Sequence, residues 1–181
     1  MDNLLTTTLA AAVPDVQTVT RDGMALGALP HGVTERRRPL HLDSRGSLQE
    51  VFSNAWDPEE APLQYVYMFS VRPGCVKGWG LHKLHDDRYF LISGEMLLVL
   101  YDVRPDSPTC GKVATIMLSE QDRRLVTIPA FVWYADHNIG TKDAVLINMP
   151  TRLYDSAEPD KYRLPVDTPL IPYSFGGATG G

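Results

Sequence analysis

Cysteine is scarce in this 181-residue chain: Cys75 and Cys110 stand apart, without a metal-type spacing. Neither a disulfide framework nor a thiolate metal site is therefore expected, and nothing calls for an oxidising compartment. No apolar run approaches the roughly 20 residues of a membrane-spanning helix. The N-terminus lacks the basic-then-apolar layout of a signal peptide. Positive charge is in deficit as well, with 17 Lys and Arg against 22 Asp and Glu and a net charge of −5. The one basic run, Arg36, Arg37 and Arg38, makes no stripe for nucleic acid or an anionic membrane. These absences predict a soluble, cytoplasmic protein without nucleic-acid or membrane partners.

Long helical windows are missing too, and short runs rich in Val, Leu, Ile, Tyr and Phe take their place. They occupy 47–52, 63–71, 87–92, 96–103, 113–118, 124–128 and 144–149. Turn signals separate them, among them Asp43-Ser44-Arg45-Gly46, Pro73-Gly74, Ser93-Gly94 and Asn138-Ile139-Gly140. Short strands at close spacing predict an all-β fold, an antiparallel sandwich or barrel of the jelly-roll kind. A chain that is 44% hydrophobic and of this length holds one core. A single domain over 1–181 is expected, made of an arm (1–39), a barrel (40–155) and a C-terminal extension (156–181). The arm is given one short strand at 16–20. The proline-rich part of the extension, 159–173, is expected to lie over the barrel, and 176–181 to be disordered.

The chemistry concentrates at 77–101. A Gly-rich turn, Gly78-Trp79-Gly80, leads there to His82 and His85, with Asp86 and Asp87 beside them, and two apolar strands follow around Ser93-Gly94-Glu95. Glycines leave room for a ligand near the His82 ring, and an imidazole, with an ordinary pKa near ~6.5, takes up a proton at neutral pH. A base placed so can abstract a proton next to a ketone. His85 reads equally as a solvated loop histidine. A metal reading competes, because His and Asp gathered on barrel strands often form ligand sets. It would use His82, Asp87 and His137. Tyr65 and Tyr67 alternate with Val66 and Met68, so one pair faces inward and the other outward.

Five pieces in order resemble one family. They are 43–50 (DSRGSLQE), Gly80-Leu81-His82, Ser93-Gly94-Glu95, 102–112 (DVRPDSPTCGK), and Leu118-Ser119-Glu120 leading to Ile128-Pro129. Together they make the chain similar to the dTDP-4-dehydrorhamnose 3,5-epimerases, the sugar-nucleotide branch of the cupin fold. The resemblance implies a cupin-type barrel without cofactor or catalytic metal, and a homodimer whose N-terminal strand crosses to the partner. It implies an epimerase or isomerase of a nucleotide-linked 4-keto-6-deoxy sugar, in cell-surface polysaccharide or antibiotic sugar synthesis. His82 takes the role of base, and Asp167 of the carboxylate that orients it. Arg45 contacts substrate or diphosphate, with Glu50, Lys77, Trp79, His85 and Asn148 as further substrate-binding positions. The chain departs from the family pattern at four places: Trp79 stands for an arginine, Asp87 for the enolate-stabilising lysine, Tyr134 for a second histidine, and Asn148 for the acid tyrosine. Arg88 and Tyr134 are the expected substitutes for the missing cation and acid. Two other readings stay open, a sugar-nucleotide or small-ligand binding protein without turnover, and the metal-dependent cupin built on His82, Asp87 and His137.

Overall fold

Side chains that alternate along short strands need a second sheet to cover one face, and here two sheets cover each other. A computed structural model describes residues 3–22 and 26–181. Among these it has one short helix, α1 (Leu4–Ala11), and thirteen strands: β1 (Thr34–Arg36), β2 (Leu40–Asp43), β3 (Gly46–Gln49), β4 (Tyr67–Val71), β5 (Cys75–Leu81), β6 (Asp87–Ser93), β7 (Glu95–Asp102), β8 (Val113–Ser119), β9 (Leu125–Ile128), β10 (Val132–His137), β11 (Ala144–Asn148), β12 (Tyr162–Arg163) and β13 (Thr179–Gly180). The first sheet runs β1-β9-β6-β11-β4 and the second β12-β5-β10-β7-β8, while β2 and β3 form a separate hairpin. All pairings are antiparallel except β13 on β5. This is the all-β jelly roll that the strand spacing predicts.

The core lies between the sheets. Tyr89 and Leu91 of β6, Met96, Leu98 and Leu100 of β7, Val132 and Tyr134 of β10, and Leu146 of β11 meet there. Each such side chain, fully buried, contributes about 1.5–3 kcal/mol. The alternate residues of the same strands face outward and are covered by other parts of the chain. Val76, Trp79, Val99 and Ala135 of the second sheet lie under Ile171 and Phe175 of the tail. Phe90 and Leu125 of the first sheet, with Met149 just after β11, lie under Val51, Phe52 and Trp56.

One strand was hidden in the sequence by the residues that make it possible. Gly78 and Gly80 read as a turn, yet both sit inside β5, where they allow close approach. A Cβ on Gly78 would stand 2.6 Å from the Ala135 Cβ, and one on Gly80 2.6 Å from the Lys161 ammonium nitrogen. The expected strand at 16–20 reduces to a single bridge at Val19. The end of the chain also differs from expectation, because Thr179 and Gly180 pair with Cys75 and Val76 on the edge of β5.

The piece 102–112 is architectural. Asp102 is fully buried, and its carboxylate accepts from Arg104 Nε at 2.9 Å, Ser107 Oγ at 2.5 Å and Thr109 Oγ1 at 2.6 Å. Burial pushes this carboxyl up, but those hydrogen bonds outweigh it and hold it well below the usual carboxylate range. Thr109 Oγ1 in turn accepts the His31 N–H at 2.8 Å, and Arg104 donates to the His31 carbonyl. The turn thereby fastens the segment that leads into β1.

Candidate active site

A cavity of about 890 Å³ opens at one end of the barrel. Tyr65, Tyr67 and Phe69 line it from β4 and its approach, Lys77 and Gly80 from β5, His82 and His85 from the loop after β5, and Tyr134 and Asp136 from β10. Residues 150–163, the return segment between β11 and the end of β12, close the remaining side.

His82 is the centre of the polar groups, and its side chain is only 11% exposed. Its Nδ1 bonds the Asp160 carbonyl oxygen. A carbonyl only accepts, so Nδ1 carries the hydrogen and the neutral ring keeps its lone pair on Nε2. Around Nε2 stand the Tyr134 hydroxyl at 2.9 Å, Asp87 Oδ2 at 3.2 Å and Lys161 Nζ at 3.4 Å. The His85 ring lies 4.0 Å from that of His82, with its Nδ1 3.0 Å from Asp160 Oδ2. Burial, reinforced by His82, lowers the His85 pKa. The Asp160 carboxylate also accepts the backbone N–H groups of Lys83 at 3.0 Å and Leu84 at 2.8 Å, which fixes the loop carrying both histidines.

From Asp87 a chain of hydrogen bonds runs away from His82 to the β4 wall of the cavity. Asn148 Nδ2 donates to Asp87 Oδ1 at 2.7 Å and to the Tyr67 hydroxyl oxygen at 2.8 Å, while its Oδ1 accepts the Arg88 N–H at 3.1 Å. Burial pushes the Asp87 carboxyl up, yet the neighbouring His82 ring and the Asn148 hydrogen bond carry it below the ordinary value. Asp87 therefore stays a carboxylate beside the imidazole.

Lys161 brings a cation to the same place. Its ammonium bonds the Tyr134 hydroxyl and lies 4.3 Å from that ring's centroid. Burial lowers the pKa of this ammonium, and the negative charges of Asp87 and Asp136 act against that. Asp136 is itself buried, and its Oδ1 has no hydrogen-bond partner among the described residues. Burial raises its carboxyl to about 7, with Lys161 opposing the rise and Asp87 adding to it.

The structure gathers His82, Tyr134, Lys77 and His85 at the cavity and makes Asn148 the buried link behind it. Five expected positions lie elsewhere. Arg88 alternates with Asp87 and Tyr89, so it faces out of the barrel, where it packs over the Phe52 ring at 4.7 Å and pairs with Glu60 at 3.3 Å. Asp167 is exposed in the tail, and the carboxylates that reach the histidines are Asp87 and Asp160. Trp79 is wholly buried on the outer face against Tyr173 and Phe175. Arg45 pairs with Asp43 at the exposed tip of the β2–β3 hairpin, and Glu50 pairs with Arg38 on the surface. His137 also points outward, against Phe175, so the set His82, Asp87 and His137 is not assembled. The ligand-type atoms that do come within 4.8 Å of one another belong to His82, His85 and Asp160.

Four cavity residues were missed: Tyr67, Asp136, Asp160 and Lys161. Asp136 was within reach of period-2 counting from Tyr134, and Tyr67 lies on the inward face with Tyr65 and Phe69. Asp160 and Lys161 sit in an irregular segment, and no local pattern announces them.

Comparison with known proteins identifies the family. The sequence profile described as dTDP-4-dehydrorhamnose 3,5-epimerase matches residues 30–164. A probable low-salt glycan biosynthesis epimerase, Agl13, of Haloferax volcanii is 36% identical over 138 residues, 76% of this chain and 88% of that protein. The spore coat polysaccharide biosynthesis protein SpsL of Bacillus subtilis is 29% identical over 144 residues, 80% of this chain and 95% of that protein. The crystal structure of a dTDP sugar isomerase from Desulfovibrio desulfuricans G20 superposes with a TM-score of 0.75 at 28% identity, covering 84% of this chain and 97% of that one. The profile spans most of the chain, and the first of these relatives shares more than a third of its aligned residues. This chain belongs to the dTDP-4-dehydrorhamnose 3,5-epimerase family.

Proposed function

We propose that the protein is an epimerase or isomerase of a dTDP-linked 4-keto-6-deoxy sugar, with His82 as the base. The observation that carries this reading is the Nε2 lone pair of His82, which the Asp160 carbonyl fixes at the other ring nitrogen and which faces Lys161 at 3.4 Å. Nε2 takes the proton from the carbon beside the C4 ketone, and the electron pair passes to the carbonyl oxygen. The imidazolium that forms has the Asp87 carboxylate 3.2 Å away. Lys161 supplies the positive charge for the enolate oxygen, since stabilising developing charge is usually the largest catalytic contribution. A cavity of about 890 Å³ is in the range of small-molecule sites. Lys77, Arg152 and Arg163 in its wall offer positive charge to a diphosphate.

The same reading includes a homodimer. Leu40, Leu42 and Leu48 are 47%, 74% and 63% exposed on the β2–β3 hairpin, and a second copy is the partner that would cover them. That hairpin carries Arg45, and with it the role expected of Arg45 and Glu50 passes to the partner's cavity. Light scattering is expected to give twice the chain mass.

The test is conversion of dTDP-4-keto-6-deoxyglucose, followed by NMR of the sugar ring. A new epimer or isomer formed in proportion to enzyme supports the reading. Tight binding of dTDP without any conversion would favour the binding protein instead.

A further inference from the structure

We infer that Tyr67 is the acid that delivers a proton to the substrate carbanion from the side of the cavity facing His82. The inference rests on the reading of His82 as base and adds the second half of the proton transfer.

The argument is one of hydrogen-bond direction. Asn148 cannot be turned over, because its Oδ1 accepts the Arg88 N–H at 3.1 Å. Its Nδ2 therefore faces Asp87 and Tyr67 with two hydrogens, and the carboxylate at 2.7 Å takes one of them. The other goes to the Tyr67 oxygen at 2.8 Å. That oxygen is thus an acceptor, and its own hydrogen has no protein acceptor among the described residues. The ring borders the cavity, between Tyr65 at 5.6 Å and Phe69 at 6.3 Å. Tyr67 accordingly presents an O–H to whatever fills the cavity. Burial and the charge of Asp87 raise its pKa to about 12, so it stays protonated.

Its position suits the second step. Tyr67 is on β4, at the edge of the first sheet, whereas His82 follows β5 of the second. Tyr134, the other inward hydroxyl near the base, is bonded to His82 Nε2 itself at 2.9 Å and so lies on the base's own side. In the first step a C–H bond breaks, the proton goes to Nε2, and the electron pair moves to the carbonyl oxygen. In the second the Tyr67 O–H bond breaks and a C–H bond forms on the opposite face, leaving the pair on the phenolate oxygen. Asn148 N–H holds that phenolate, and solvent restores its proton, since Tyr67 is 37% exposed. His82 returns its proton to water. The net result is inversion at one carbon with no change in redox state.

Tyr67→Phe separates the two steps. In deuterated water with dTDP-4-keto-6-deoxyglucose, NMR reads both loss of the C3 and C5 proton signals and appearance of the inverted sugar. The variant is expected to keep exchange within about tenfold of wild type, because His82 can still remove and return a proton, while inversion falls by about 10²-fold or more. Tyr134→Phe is expected to lower both together. Inversion by Tyr67→Phe at the wild-type rate overturns the inference and leaves the role of His82 standing. An equal fall of both readouts in a Tyr67→Phe protein with an unchanged melting temperature overturns it as well. No exchange in the wild-type protein overturns the His82 reading and this inference together.

Discussion

Replacing Gly80 by Ala should disable Lys161 without altering it. A Cβ at position 80 would stand 2.6 Å from Lys161 Nζ, 3.0 Å from its Cε and 3.2 Å from the Tyr134 ring. Gly80 has a backbone conformation open to other residues, and the end of a lysine moves at little cost, so the fold is kept and the ammonium is displaced. A unit charge about 3 Å from a developing enolate charge is worth roughly 5.5 kcal/mol at an effective dielectric of about 20. Water that takes its place recovers part of this. Loss of one such donor elsewhere costs about 10²–10³ in kcat, roughly 2.7–4 kcal/mol. Initial rates of C3 and C5 proton exchange, measured for wild type, Gly80→Ala, Lys161→Ala and the double variant, give the test. Each single change is expected to slow exchange about 10²-fold, and the double change to add almost nothing, because both remove the same ammonium. Losses that multiply, or a Gly80→Ala protein at the wild-type rate, would refute the reasoning.

Three further outcomes follow from the buried groups. Asp102→Ala strands the Arg104, Ser107 and Thr109 donors, at a cost of about 3–5 kcal/mol in urea unfolding. The Asp102 carboxyl is held below its ordinary value, so its contribution is complete above about pH 4 and fades as pH falls through the lower folded value. Asp136 has the opposite sign, since its folded pKa is raised to about 7: wild-type stability should decline as pH rises from about 4 to 7, and Asp136→Asn should lack this decline. Trp79→Ala, at a wholly buried site under the tail, should cost about 3–5 kcal/mol and expose 164–181 to limited proteolysis.

The barrel was legible because period-2 runs and turn residues report directly on strands that are half buried. Where the chain makes room instead of filling it, the same rules misread: Gly78 and Gly80 look like a turn, and a strand with two glycines is what brings Lys161 to the base. Counting along the sequence also led to His82, since motif and strand lie together, whereas Asp87 entered only as a departure from the family lysine and as a metal ligand, and here it is the carboxylate beside the imidazole. Counting placed Arg88 at the site because it neighbours Asp87, although alternation turns the next residue to the other face of the sheet. In the proposed reaction the cation that the family pattern puts at position 87 comes from position 161, across the sheet edge, and the free hydroxyl beside Asn148 comes from position 67. Spatial neighbours of this kind leave no signature in local sequence.

The most direct measurement of the central claim is solvent exchange in deuterated water with dTDP-4-keto-6-deoxyglucose, comparing wild type with His82→Ala. The account predicts enzyme-dependent loss of a proton signal next to the ketone, slowed by about 10²–10⁴-fold in the variant, the usual contribution of a positioned base. Exchange at the wild-type rate in a folded His82→Ala protein would contradict it.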